Sequence, residues 1–168
     1  MVYRGGNSLK KIIIILCLCW MGLIFFMSSN NGKISHQESN KMINVVKSIQ
    51  AKLQIKDENK TINENKLDYV VRKSAHTFIY MMLAVLVSSI FFVFNKKGKN
   101  TIVYILFICL LFAVTDEFHQ SFVPQRTSLV SDILFDFAGS LIGLALFYLA
   151  YYQIYARYAI KEKKSLKI

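Results

Sequence analysis

The sequence predicts an all-α membrane protein: four transmembrane helices and an amphipathic helix in the outer loop, forming one domain over residues 1–168. Three observations carry that prediction. Hydrophobic residues make up 54% of the chain and mean hydropathy is +0.38, too apolar for an ordinary soluble domain. The apolar residues gather into four long runs, and not into the short alternating segments of strands. Finally, the net charge of +11 comes largely from lysines placed beside those runs. Lysines so placed suit an anionic bilayer surface better than nucleic acid, so no nucleic-acid partner is expected and membrane lipids are.

The first helix is expected at about 10–28. Its apolar run, Ile12–Met27, is sixteen residues long, and Lys10 and Lys11 extend it by snorkelling. A basic start followed by an apolar run also describes a signal peptide. The following "MSSNNG" offers no small-x-small cleavage site, so a retained helix is expected. Residues 29–74 form an outer loop. There Met42, Val45, Val46, Ile49 and Leu53 recur at helical spacing with lysines between them, as in an amphipathic helix lying on the membrane or covering the bundle.

The second helix is expected at about 75–94. The third begins near residue 101, where the thirteen residues Ile102–Val114 are all apolar. Thirteen residues rise only ~20 Å against a ~30 Å hydrocarbon core, so the helix should continue to about 123, ahead of Pro124. That continuation places "TDEFHQSF" inside the outer part of a spanning helix. The fourth helix is expected at about 132–153. Tyr148, Tyr151, Tyr152, Tyr155 and Tyr158 form an interfacial belt ahead of a basic tail at 157–168.

Orientation follows from the flanking cations. With the N-terminus inside, the inner segments carry eleven Lys and Arg and the outer ones ten, a nearly even count. Density separates them better. The turn "NKKGKN" holds three lysines and no acid, whereas residues 28–74 dilute nine cations among five acids. Both termini are therefore expected in the cytoplasm of a multi-pass plasma-membrane protein. Cys17, Cys19 and Cys109 lie within apolar runs, where thiols are packing residues and not a disulfide framework.

Four of the ten acids, Asp116, Glu117, Asp132 and Asp136, fall within twenty-one residues. A charge at mid-bilayer costs about 2.5–3.5 kcal/mol on insertion scales. A helix N-terminus returns only about 0.3–1 kcal/mol of this to Asp132 and Asp136, so these acids need partners. The second helix offers them on one face: Arg72, Lys73, His76 and Tyr80, spaced three and four apart. Gln120 and Arg126 add polar groups from the third helix and the loop after it. Polar side chains from separate segments thus converge near the outer leaflet, which marks Arg72, Lys73, His76, Tyr80, Asp116, Glu117, Gln120, Arg126, Asp132 and Asp136 as a candidate ligand site. His76 reads either as a buried hydrogen-bond donor to a carboxylate or as a general base, and Arg126 either as a ligand contact or as a counter-ion to Asp132 or Glu117. No two ligand types stand at a recognised metal spacing such as H-E-x-x-H, so no metal is assigned and no cofactor is named. Gly139 and Gly143 form a G-x-x-x-G pattern, which serves close helix packing within the bundle or between chains.

These motifs resemble those of the VanZ-like family, named for a teicoplanin-resistance protein and widespread in Gram-positive bacteria. The pattern K-x-x-H-x-x-x-Y is met by Lys73, His76 and Tyr80. D-E-x-x-Q-x-F-x-P-x-R is met by Asp116, Glu117, Gln120, Phe122, Pro124 and Arg126. D-x-x-x-(N/D)-x-x-G is met by Asp132, Asp136 and Gly139. The chain departs where members carry Phe directly after the His and an acid just before the Tyr; Thr77 and Ile79 stand there instead. The resemblance implies an integral membrane protein of the cell envelope linked to antibiotic resistance, and it brings no reaction with it.

Three functions follow. The first is an envelope protein that binds a lipid head group or cell-wall precursor, or tunes glycopeptide access, with Arg72, Lys73 and Arg126 facing the anionic part. The second is a membrane-embedded hydrolase or transferase, with His76 or Glu117 as general base, Arg126 stabilising developing charge and Asp132 orienting the His or holding a metal. The third is a small transporter or proton relay.

Overall fold

The computed structural model describes residues 6–30, 44, 45, 48, 64–124, 126 and 128–165; at 64–68 and 155–165 it describes the backbone alone. Among the described residues four long helices stand out: α1 (Asn7–Ser28), α2 (Glu64–Val93), α3 (Lys99–Gln120) and α4 (Val130–Ser165). All four contain segments long and apolar enough to cross a membrane: Asn7–Ser28, Tyr69–Val93, Lys99–Gln120 and Val130–Ile154. Twenty-two residues, the length of α1 and α3, rise about 33 Å, enough for the hydrocarbon core. Of the amphipathic helix expected in the outer loop, Asn44, Val45 and Ser48 are helical, and the rest lies outside the described residues.

The helix ends follow local chemistry. α2 closes on a Schellman turn, in which the Lys96 N–H donates to Phe91 O at 2.8 Å and the Asn95 N–H to Phe92 O at 2.9 Å. Asn95 takes the left-handed conformation that this turn needs (φ 58°), and Gly98, at φ 124°, lets the chain re-enter α3. α3 ends at Gln120, three residues before the expected end at Val123. From Ser121 onward the N–H groups turn to carbonyls three residues back (Phe122 to His119, Val123 to Gln120), a tightening that brings the chain to Pro124 outside the helix. α4 starts two residues before the expected 132 and continues as helix to Ser165, into the expected tail. α2 likewise begins before the expected 75, with Glu64.

Inside the bundle, Ile24, Tyr80, Leu83, Ala84, Ile105, Cys109, Ala113 and Leu144 pack together. Large apolar side chains such as Phe26, Phe107, Phe118 and Leu149 point outward, as lipid-facing residues do. Lipid tails give such helices no hydrophobic reason to associate, so small residues and hydrogen bonds hold the bundle. The largest interface is α2 on α4. A Cβ added at Gly139 would run into the Thr77 carbonyl, and one at Gly143 into the Met81 carbonyl. The glycine pair thus packs backbone on backbone within the chain. α1 lies against α2 and α3, away from α4. The Trp20 indole N–H ties it to α2 by donating to Ile79 O at 2.9 Å. All three cysteines are free, with Cys17 and Cys109 buried.

At the end of the bundle that holds the "NKKGKN" turn, lysines meet rings. Lys10 Nζ lies 5.1 Å from the Phe94 centroid and Lys97 Nζ 5.0 Å from that of Tyr151. Asp116, Glu117, Asp132 and Asp136 occupy the opposite end.

Candidate functional site

The site begins with the register of one helix face. On α3 the buried positions run Thr101, Ile105, Cys109, Ala113, Asp116, Glu117 and Gln120, steps of three and four that make one stripe. The acids continue the apolar stripe inward, while Phe118, between them and Gln120 in sequence, is 66% exposed on the lipid side. This resolves why ionisable residues follow so apolar a run: they face the bundle interior.

α2 and α4 run parallel and in register, and their contacts form a ladder. Lys73 pairs with Asp132, and His76 Nδ1 stands 3.7 Å from Asp136 Oδ1. Next along α2, the carbonyl of Thr77 and, one turn further in, that of Met81 meet the two glycines. The Lys73–Asp132 pair is at the rim, 15% and 20% exposed. Asp136 is 2% exposed and Asp116 is fully buried. His76 therefore faces Asp136, and Asp132, a candidate to orient it on sequence grounds, is engaged with Lys73.

Asp116 is held from α1 and α3 together. The Ser28 hydroxyl donates to its Oδ2 at 2.8 Å and Gln120 Nε2 donates to the same oxygen at 3.1 Å. Gln120 Oε1 in turn accepts from Arg126 Nη1 at 2.8 Å, and Arg126 Nη2 reaches Met27 O at 3.4 Å. Neither of these Arg126 contacts is to a carboxylate. Burial pulls the Arg126 guanidinium below its ordinary pKa, the charge of Asp116 pulls it back up, and Arg72 lowers it again. Glu117 supports the loop: its Oε1 accepts the Leu129 N–H at 2.6 Å, at the start of α4, and its backbone carbonyl accepts from Ser128 Oγ. That contact commits one carboxylate oxygen of a candidate general base to positioning the helix, where the macrodipole favours it.

The expected residues thus divide into two layers. Lys73, Glu117, Gln120, Arg126 and Asp132 form a rim of satisfied polar contacts, with half-buried Arg72 one helical turn before His76. His76, Tyr80, Asp116 and Asp136 form the floor. One nitrogen or oxygen from each of His76, Asp116 and Asp136 lies within 4.8 Å of the others, a donor set able to hold a metal ion. Sequence spacing offered no such set because its members come from three helices. Ser28 escaped the sequence reading too: it closes an apolar run that looked self-contained, and only its level in the bundle brings it to Asp116. The α1–α3 contact is reinforced by the His119 ring, stacked on Phe25 at 4.1 Å and sharing a 2.9 Å hydrogen bond with Ser29 Oγ.

The family model described as VanZ/LLP1 matches residues 13–151, a span containing all of these side chains. No curated protein and no solved structure matches the chain.

Proposed function

The chain belongs to the VanZ/LLP1 family, and from that premise we propose that this multi-pass membrane protein binds the anionic head group of an envelope lipid or cell-wall precursor at the outer leaflet. The observation that carries the proposal is Arg126. Its guanidinium sits at the rim and donates to an amide and a carbonyl, so its charge is kept by neutral acceptors and not consumed by an ion pair. Such a group suits phosphate or carboxylate recognition. Lys73 lies on the neighbouring helix at the same rim, its charge tempered by Asp132. The orientation belongs to the same proposal: both termini in the cytoplasm, with the lysine-bearing turn inside. By occupying such a ligand the protein would alter teicoplanin susceptibility, the role that the resemblance of its motifs implies.

Reconstitution with labelled anionic envelope lipids tests this reading. Wild type is expected to bind stoichiometrically without turnover, and Arg126→Gln to bind at least tenfold more weakly. The convergence of His76 with two buried carboxylates favours a second reading, a membrane-embedded hydrolase or transferase. Product formation that vanishes in both His76→Ala and Glu117→Gln would establish that reading and sink simple binding.

A further inference from the structure

We infer that His76, Asp116 and Asp136 bind one divalent transition-metal ion at the floor of the site, a role independent of the lipid reading. The acids alone would not carry this. What carries it is the set of polar atoms that the fold buries and leaves unmatched. Asp116 Oδ1 and Asp136 Oδ1 are buried without a hydrogen-bond partner. Tyr80, a fully buried residue one turn beyond His76, brings its hydroxyl close to both carboxylates. Buried polar atoms are normally paired, and two unmatched carboxylate oxygens beside one imidazole imply a ligand that they share.

Charge leads to the same conclusion. The rim cations contact other groups: Lys73 takes Asp132, and Arg126 takes Gln120 and Met27. Two carboxylates with unmatched oxygens beside one imidazole ask for about two positive charges, which a divalent ion supplies at a single point. The outer contacts are those of a ligand carboxylate. Ser28 and Gln120 both hold Oδ2 of Asp116 and leave Oδ1 without a partner. The ligand atoms, within 4.8 Å of one another, stand wider than the ~3.4 Å edge implied by tetrahedral bonds of about 2.1 Å. Small side-chain rotations close that difference. One imidazole with two carboxylates suits Zn²⁺, Mn²⁺ or Fe²⁺ and disfavours Mg²⁺ and Ca²⁺, which take oxygen alone.

The test is elemental analysis of the full-length protein purified in detergent, stripped with EDTA and reloaded with Zn²⁺ or Mn²⁺. Wild type is expected to retain about one ion per chain, and Asp116→Asn and Asp136→Asn at least tenfold less. Co²⁺ loading should give a visible d–d band that His76→Gln abolishes. Glu117→Gln should keep the ion. A wild type that retains no ion after reloading overturns the proposal whatever the variants do, and would mean that protons neutralise the carboxylates. Retention undiminished in folded variants, judged by circular dichroism, overturns it equally. Metal retained without lipid binding would sink only the functional reading above; lipid bound by a metal-free protein would sink only this one.

Discussion

Asp116 shows how a single carboxylate is made tolerable in an apolar helix. It lies on the inward stripe of α3, and two donors reach its Oδ2 from different helices. The direction of Asp116 has no period in the sequence, because Ile102–Val114 is apolar on every side and the buried stripe of Ile105, Cys109 and Ala113 shows only in the fold; its charge and its need of a partner are legible there. Its partner Ser28 is not, because eighty-eight residues separate the two and no local pattern links them. Removing that donor leaves a buried acceptor short of a hydrogen bond. Ser28→Ala is expected to lower stability by about 1–3 kcal/mol in thermal or denaturant unfolding in detergent, with recovery in Ser28→Thr, which restores the hydroxyl. Equal melting of wild type and Ser28→Ala would show that the bond contributes nothing.

At the scale of elements, the decisive contact is α2 against α4. Gly139 and Gly143 bring the two backbones together, and the register that results sets Lys73 opposite Asp132 and His76 opposite Asp136. The glycine pattern was visible in sequence as close packing, but the sequence could not say whether the partner was another helix of the chain or another chain. A Cβ at Gly139 meets backbone, which cannot rotate away. Gly139→Ala should therefore push α4 outward, costing about 1–3 kcal/mol as an overpacked contact and moving Asp136 away from His76. Gly22→Ala in α1, where a Cβ meets nothing within 4 Å, is the matched control and should melt as wild type or higher. Equal effects of the two changes on melting and ligand binding would refute the ladder.

For the whole molecule, the two ends differ in chemistry. Polar side chains from all four helices gather at one end, and lysines over aromatic rings mark the other. The charge pattern favours the lysine end as cytoplasmic. Cysteine labelling in intact cells with an impermeant maleimide checks this. Ser128→Cys should be labelled at once and Lys96→Cys only after permeabilisation, against the low background of native cysteines that all lie within apolar spans. The reverse pattern would invert the protein and move the site to the inner leaflet.

By itself the sequence determined the helical class, the four apolar spans and the acids' need of partners, because each is a matter of local composition and period. It also brought most of the site residues to one level of the membrane, since helix length and loop order set depth. Only the tertiary structure decided who meets whom: Lys73 with Asp132, His76 with Asp136, Ser28 with Asp116, and Arg126 with Gln120. Those pairings depend on the rotation and register of one helix against another. Two glycines and a few interhelical hydrogen bonds set them, through contacts that leave no period in the chain.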